Sequence, residues 1–245
     1  MPKVMMVKVL ILGVLISGWH LPVLAANDDI EELQAPLTNE WRLVKSDRLR
    51  NIKTYVRLED GKRYRSFRAE MVMDNVKPEA LIRLILDFKN YPKWFWETRE
   101  AKLLQKISDT EYYVYMIHDA PYGLPDRDVI LHAVVSPQTT TKPYLDLTIK
   151  AAPNYLPLKP PLVRMVAEDL FFRFTPLANG QLKSESEGYV DPGGIVPSWA
   201  ANFVQRSAPY AVALGALRMA KRDEYVNSEQ ALPFKVYHFS DYLAQ

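Results

Sequence analysis

The 245-residue chain has no cysteine. Disulfides, thiol nucleophiles, cysteine-bound zinc and a lipid-modified N-terminal cysteine are therefore excluded. Histidine is sparse as well. His20, His118, His132 and His238 stand apart and form neither an HxH nor an HExxH pair, so no metal is expected. The nine glycines never assemble into GxGxxG, GxxxxGK or GxSxG. A nucleotide cradle and a nucleophile elbow lack support, and no cofactor is expected. An excess of one charge is missing too. The 31 Lys and Arg, less Lys3 and Lys8 of the first 25 residues, balance the 29 Asp and Glu. With no run of five basic residues, nothing draws the chain to nucleic acid.

What is present starts at the N-terminus. Lys3 and Lys8 precede and flank an apolar run from Val9 to Ile16, and Val23 and Ala25 are small residues before a cut after Ala25. This is the three-part order of a secretory signal peptide. The apolar run is shorter than the roughly 20 residues a membrane span needs. The expectation is a cleaved signal over 1–25 and a bacterial protein that is periplasmic or secreted. Residues 26–245 then form a single domain, with a core over about 31–222 and a tail over 223–245.

Apolar and polar residues alternate over 51–58, 64–73, 101–107, 111–118, 127–136, 144–151, 164–175 and 181–191, the period of half-buried strands. Helical spacing replaces it over 30–44, over 77–88, where Asp74 or Asn75 can cap the start, and from Pro197 to Lys221. Short turns such as Asp60-Gly61 join strand to strand, so the sheet should be antiparallel. An antiparallel sheet with a long helix on one face is an α+β solution.

That last helix carries no Asp, Glu or His. Trp199, Phe203, Tyr210, Leu214 and Leu217 recur at helical steps, as on a face that meets a sheet. Between them stand Ala200, Ala201, Ala208, Ala211, Ala213, Gly215 and Ala216, which suit either close packing or a cavity wall. Reactive groups are few. Glu168 and Asp169 point to opposite sides of one strand and cannot form an acid/base dyad together. Asp126-Arg127-Asp128 reads as a salt-bridged strand entry. His118 and His132 are either ligand contacts or satisfied core histidines. Met71, Met73, Met116 and Met165 offer adaptable apolar surface. The inventory describes a container better than a catalyst.

Five passages are familiar in order: Trp41-Arg-Leu-Val-Lys with Ile52-Lys-Thr-Tyr-Val-Arg; Tyr91-Pro-Lys-Trp94; Glu100-Ala-Lys-Leu-Leu; Pro125-Asp-Arg-Asp128; and the DPGG, Ile-Val-Pro, Trp and Asn passage from Tyr189 to Asn202. On these the chain resembles the START domains, the steroidogenic acute regulatory-related lipid-transfer family. The resemblance implies a helix-grip fold, a curved antiparallel sheet closed by the C-terminal helix around a hydrophobic tunnel. It implies ligand contacts at Met116, His118, Leu131, Ala133, Phe172, Phe203, Tyr210 and Leu214. Ala133 stands where sterol-binding members carry an arginine, so a sterol is not implied. The proline-rich segment 152–164 would be a lid, with Tyr155, Leu156 and Leu158 closing on the helix and touching a bilayer when open.

The implied function is non-enzymatic binding, transfer or sensing of a lipid or other large apolar molecule by a monomer, with transient membrane contact. Two alternatives stand beside it: a cyclase- or hydrolase-like enzyme using His118 or Glu168 as general base, and an envelope structural protein with its cavity packed shut.

Overall fold

Residues 39–243 are described by the computed structural model; the expected signal peptide and the first part of the expected helix over 30–44 lie outside them. Alternation is realised as ten strands. They are β1 Arg42–Asp47, β2 Ile52–Arg57, β3 Ser66–Asp74, β4 Thr98–Ser108, β5 Glu111–His118, β6 Arg127–Ser136, β7 Leu145–Ala151, β8 Val163–Arg164, β9 Ala167–Pro176 and β10 Gln181–Asp191. The sheet order is β1-β2-β3-β10-β9-β7-β6-β5-β4, antiparallel throughout, and the short β8 pairs parallel with β6. β1 and β4 are its two edges, so the sheet does not close on itself as a barrel.

Two helices matter for the site. α1, Pro78–Leu86, buries Ala80, Leu81, Ile82 and Leu84. It starts on proline, whose fixed φ suits a first helical position. Lys77 is its N-cap without a side-chain cap, so neither Asp74 nor Asn75 serves as expected: Asp74 ends β3 and Asn75 takes a φ of 56°. α2, Ser198–Met219, is the long helix and packs on β2 and β3. The short α3, Asp223–Val226, and α4, Phe239–Leu243, follow.

Two expectations need correction. Residues 42–44 are strand, not helix: β1 pairs with β2, and Asn51 at φ 51° makes the turn between them. Strand pairing outweighs a weak helical pattern. The single strand expected over 164–175 is two, β8 and β9. Met165 lines the sheet's inner face, while Arg164 is drawn off to the other side.

The passage DPGG that leads into α2 has a local cause. Asp191 Oδ1 accepts from the Gly193 amide at 2.9 Å. Gly193 and Gly194 take φ of 67° and 61°, a region that favours glycine. A Cβ on Gly193 would also lie 2.5 Å from the Arg164 carbonyl oxygen. The turn therefore carries the chain from the end of β10 over to α2 at a fixed angle.

The candidate ligand cavity and its buried polar pair

Strand alternation sends one set of side chains toward α2. From β3 these are Phe67, Ala69, Met71 and Met73; from β9, Glu168, Leu170, Phe172 and Phe174. Together with β5, β6, β7, β10, α1 and the aromatic segment Tyr91–Trp96 they bound a cavity of about 210 Å³. All of Met71, Met73, Met116 and Met165 are in its wall. Its rim is made by Trp96 and Glu97, by Asp119, Ala120, Pro121 and Leu124 of the β5–β6 connection, and by Pro192 with Val196.

The helix contributes its small residues. Ala201, Val204, Ala208, Val212 and Ala216 line the cavity, with Gln205 beside Val204; the five are spaced three or four apart and so share one face. Gly215 lets the helix approach the aromatic segment: a Cβ there would sit 2.4 Å from the Trp94 carbonyl oxygen.

Polar groups are few in this wall, and two are paired. His118 ends β5 and Glu168 opens the inner face of β9, where its side chain is 5% exposed. His118 Nε2 lies 3.3 Å from Glu168 Oε2. The contact is an ion pair without hydrogen-bond alignment, and both atoms are buried with no hydrogen-bond partner among the described residues. On the other side of the ring, Nδ1 is 3.3 Å from the Trp96 carbonyl oxygen and 3.3 Å from Thr98 Oγ1. A carbonyl only accepts, so the network assigns a proton to Nδ1. Burial pushes His118 down, but the Glu168 carboxylate, the Trp96 carbonyl and the Asp119 charge together hold it above its ordinary value. Leaving a polar atom unpaired in such a place costs about 1–3 kcal/mol. Arg127, also in the wall, is turned to the backbone, donating to the Pro125 and Pro192 carbonyls; burial pushes its guanidinium below its ordinary value, against the charges of Tyr64 and Asp126.

No family model matches the chain. An uncharacterized protein of Pseudomonas aeruginosa is 27% identical over 188 residues, 76% of this chain and 89% of that one. A solved STAR-related lipid transfer protein fragment from Xanthomonas axonopodis superposes with a TM-score of 0.67 at 25% identity, covering 74% of this chain and 99% of its own. The chain has the START-domain fold. Human STARD10 shares that fold at 18% identity and a TM-score of 0.63, over 88% of this chain and 90% of its own.

Within the START fold the expected contacts divide. Met116, His118, Leu131 and Phe172 line the cavity; Ala133, Phe203, Tyr210 and Leu214 do not. Ala133 is buried in the core beside it. Tyr210 donates to Asp47 Oδ2 at 2.7 Å beyond the helix flank, beneath Lys45. Phe203 is 41% exposed, with its ring 5.9 Å from that of Trp96. The large stripe thus seals the helix flanks, and the alanine stripe faces the space. The missed signal was that alanine row itself: a wall must leave volume, so its residues are small.

The lid expectation also changes. None of Tyr155, Leu156 and Leu158 lines the cavity. Their segment lies on the opposite face of the sheet, where Leu156 packs with Tyr115, Ile117 and Ile130. Tyr155 stacks on Tyr113 with ring centroids 4.2 Å apart and donates to Gln105 at 2.5 Å. Leu158 is exposed. Strand parity is the reason: odd positions of β5 face outward, and the segment covers them. His132 belongs to that outer face too, 2.7 Å from Glu111.

Proposed function

We propose that this protein binds a lipid or other large apolar molecule in the cavity and carries, transfers or senses it without catalysing a reaction. One observation carries the reading: a wall of strand apolar residues and methionines faced by a helix whose inner row is small. Each methylene buried there contributes about 0.8 kcal/mol, so affinity needs no reactive group. The cavity, at about 210 Å³, favours a slender ligand; ligand pockets commonly span roughly 300–1,000 Å³. The similar Xanthomonas protein bears the name of a lipid transfer protein, which agrees with the reading.

The rim supports transient bilayer contact at a different place from the expected lid. Ile195 is 92% exposed beside Val196 and Trp199 is 51% exposed at the start of α2. An apolar ligand leaving a bilayer would enter there. We place the working protein, as a monomer, in the periplasm or outside the cell, starting near Ala26.

The test is native purification followed by mass spectrometry of small molecules released on denaturation. The expected result is one apolar molecule per chain, recovered unchanged after incubation. Recovery of a converted product would favour the enzyme reading, for which His118 and Glu168 supply the titratable groups a general base requires. A protein that neither retains nor takes up any apolar probe would favour the envelope structural reading.

A further inference from the structure

The cavity wall is apolar enough to hold an alkyl chain anywhere along it, so an unpaired charged couple within it has no role in the chain's grip. His118 and Glu168 are brought together from β5 and β9, strands that are not neighbours in the sheet. Their facing atoms are 3.3 Å apart yet neither completes a hydrogen bond. Ser184 and Ser186 are also in the wall, but Ser186 donates to the Ala69 carbonyl at 3.4 Å. Gln205 Oε1 and Trp94 Nε1 are further atoms of the same wall without a partner among the described residues. The pair, not a general polarity, is the feature to be explained.

We propose that His118 and Glu168 form the recognition site for one uncharged hydroxyl on the ligand, which donates to Glu168 Oε2 and accepts from His118 Nε2. The inference rests on the carrier reading and names the ligand class for it: a long apolar molecule bearing a single alcohol. The chemistry follows from what the pair offers. Nδ1 is held by the Trp96 carbonyl, so when the Glu168 carboxylate keeps the ring charged its second proton is on Nε2, facing the cavity. Glu168 presents an acceptor beside it. A group that both donates and accepts satisfies the two at once. A ligand carboxylate or phosphate would set a second anion against Glu168 away from water, and a cationic head would meet the imidazolium; like charges at such distances are disfavoured. An ether or ester could accept but leave Glu168 unpaired.

The test compares three probes of equal chain length, hexadecanol, its methyl ether and hexadecanoate, each by displacement of a fluorescent alkyl probe from the full mature protein. Cholesterol is run alongside to tell a ring-bound alcohol from a chain-bound one. The expected order is hexadecanol tighter than the ether by about tenfold or more, the effect of one charged hydrogen bond. Hexadecanoate should not exceed the ether. Glu168→Leu should erase the preference, so that alcohol and ether bind that variant equally. Equal binding of alcohol and ether by the unaltered protein overturns the hydroxyl site and leaves the carrier reading intact. Tightest binding by hexadecanoate overturns it in favour of an anion site. If no probe displaces, the carrier reading falls and the inference with it.

Discussion

Two buried charge pairs lie on opposite faces of the same sheet, and they differ in completeness. On the outer face Arg164 donates to both oxygens of Asp128, at 3.0 and 2.8 Å, and to the carbonyls of Pro153, Leu156 and Pro157. Asp128 is fully buried and the Arg164 side chain is 6% exposed. Every donor of the guanidinium is used. On the inner face the facing atoms, His118 Nε2 and Glu168 Oε2, approach each other and have no hydrogen bond among the described residues. A saturated pair fixes structure, here the course of the proline-rich segment. An unsaturated pair in a cavity leaves capacity for a ligand. Buried polarity alone does not separate the two roles; counting the remaining donors and acceptors does.

The sharpest way to break the comparison is at Arg164. Arg164→Ala leaves Asp128 charged and buried and frees three carbonyls, so stability should fall by about 3–5 kcal/mol. Urea unfolding followed by tryptophan fluorescence reads it. Adding Asp128→Ala should restore part of the loss, because the uncompensated charge is then gone. A loss under about 1 kcal/mol would mean that the outer pair is not structural.

Filling the inner face should cost less stability and more function. Ala208 is in the cavity wall while Phe203 is off it. Ala208→Phe should cost about 1–3 kcal/mol by overpacking and block uptake of an alkyl probe. Phe203→Trp, on the flank, should change neither uptake nor stability by a measurable amount. Blockage by the flank substitution and not by the wall substitution would reverse the assignment of the helix faces.

These contrasts show what was legible in the sequence. Strand alternation over 64–73 is enough to place Phe67, Ala69, Met71 and Met73 on one face, and they do share the cavity wall. The run of strands followed by one long helix also implies the layer arrangement, and the resemblance adds the tunnel between the layers. Apolar size alone does not identify the inner face of α2: large residues suggest the sheet side, whereas a wall that must leave space puts alanine there. Nothing local in the proline-rich segment records which sheet face it covers; that is decided by Arg164, whose partner Asp128 lies 36 residues earlier. His118 and Glu168 could each be named from sequence, but their meeting depends on the register of β5 with β6, β6 with β7 and β7 with β9. Long-range pairing of that kind leaves no mark at either position.

A third contrast is small in stability. Glu168→Leu removes an acceptor that has no hydrogen bond and leaves His118 free to be neutral, so the fold should lose nothing and gain up to about 1–2 kcal/mol. Thermal unfolding at neutral pH checks it. A loss as large as that of Arg164→Ala would show the inner pair to be as structural as the outer one.

The smallest effect separates the pairs by sign. Arginine side chains keep their proton through the neutral range, whereas histidine titrates within it. Burial lowers His118, yet the Glu168 charge, the Trp96 carbonyl and the Asp119 charge leave it above its ordinary 6.5 in the folded protein. The folded state therefore holds the proton more tightly than the unfolded chain. Stability from this group is fully present below its unfolded value and is lost as pH rises through the folded one. In Glu168→Gln the largest raising cause is gone and burial is left to dominate, so the folded value should drop below the unfolded one. The slope then reverses: stability attributable to His118 should grow as pH rises through the same range. The measurement is the urea midpoint from pH 5.5 to 8.5, taken as the difference between each protein and its His118→Asn counterpart, which cancels other titrating groups. Parallel difference curves for the native pair and for Glu168→Gln would show that Glu168 does not set the charge of His118, and the inner pair would then be two neighbours and not a couple.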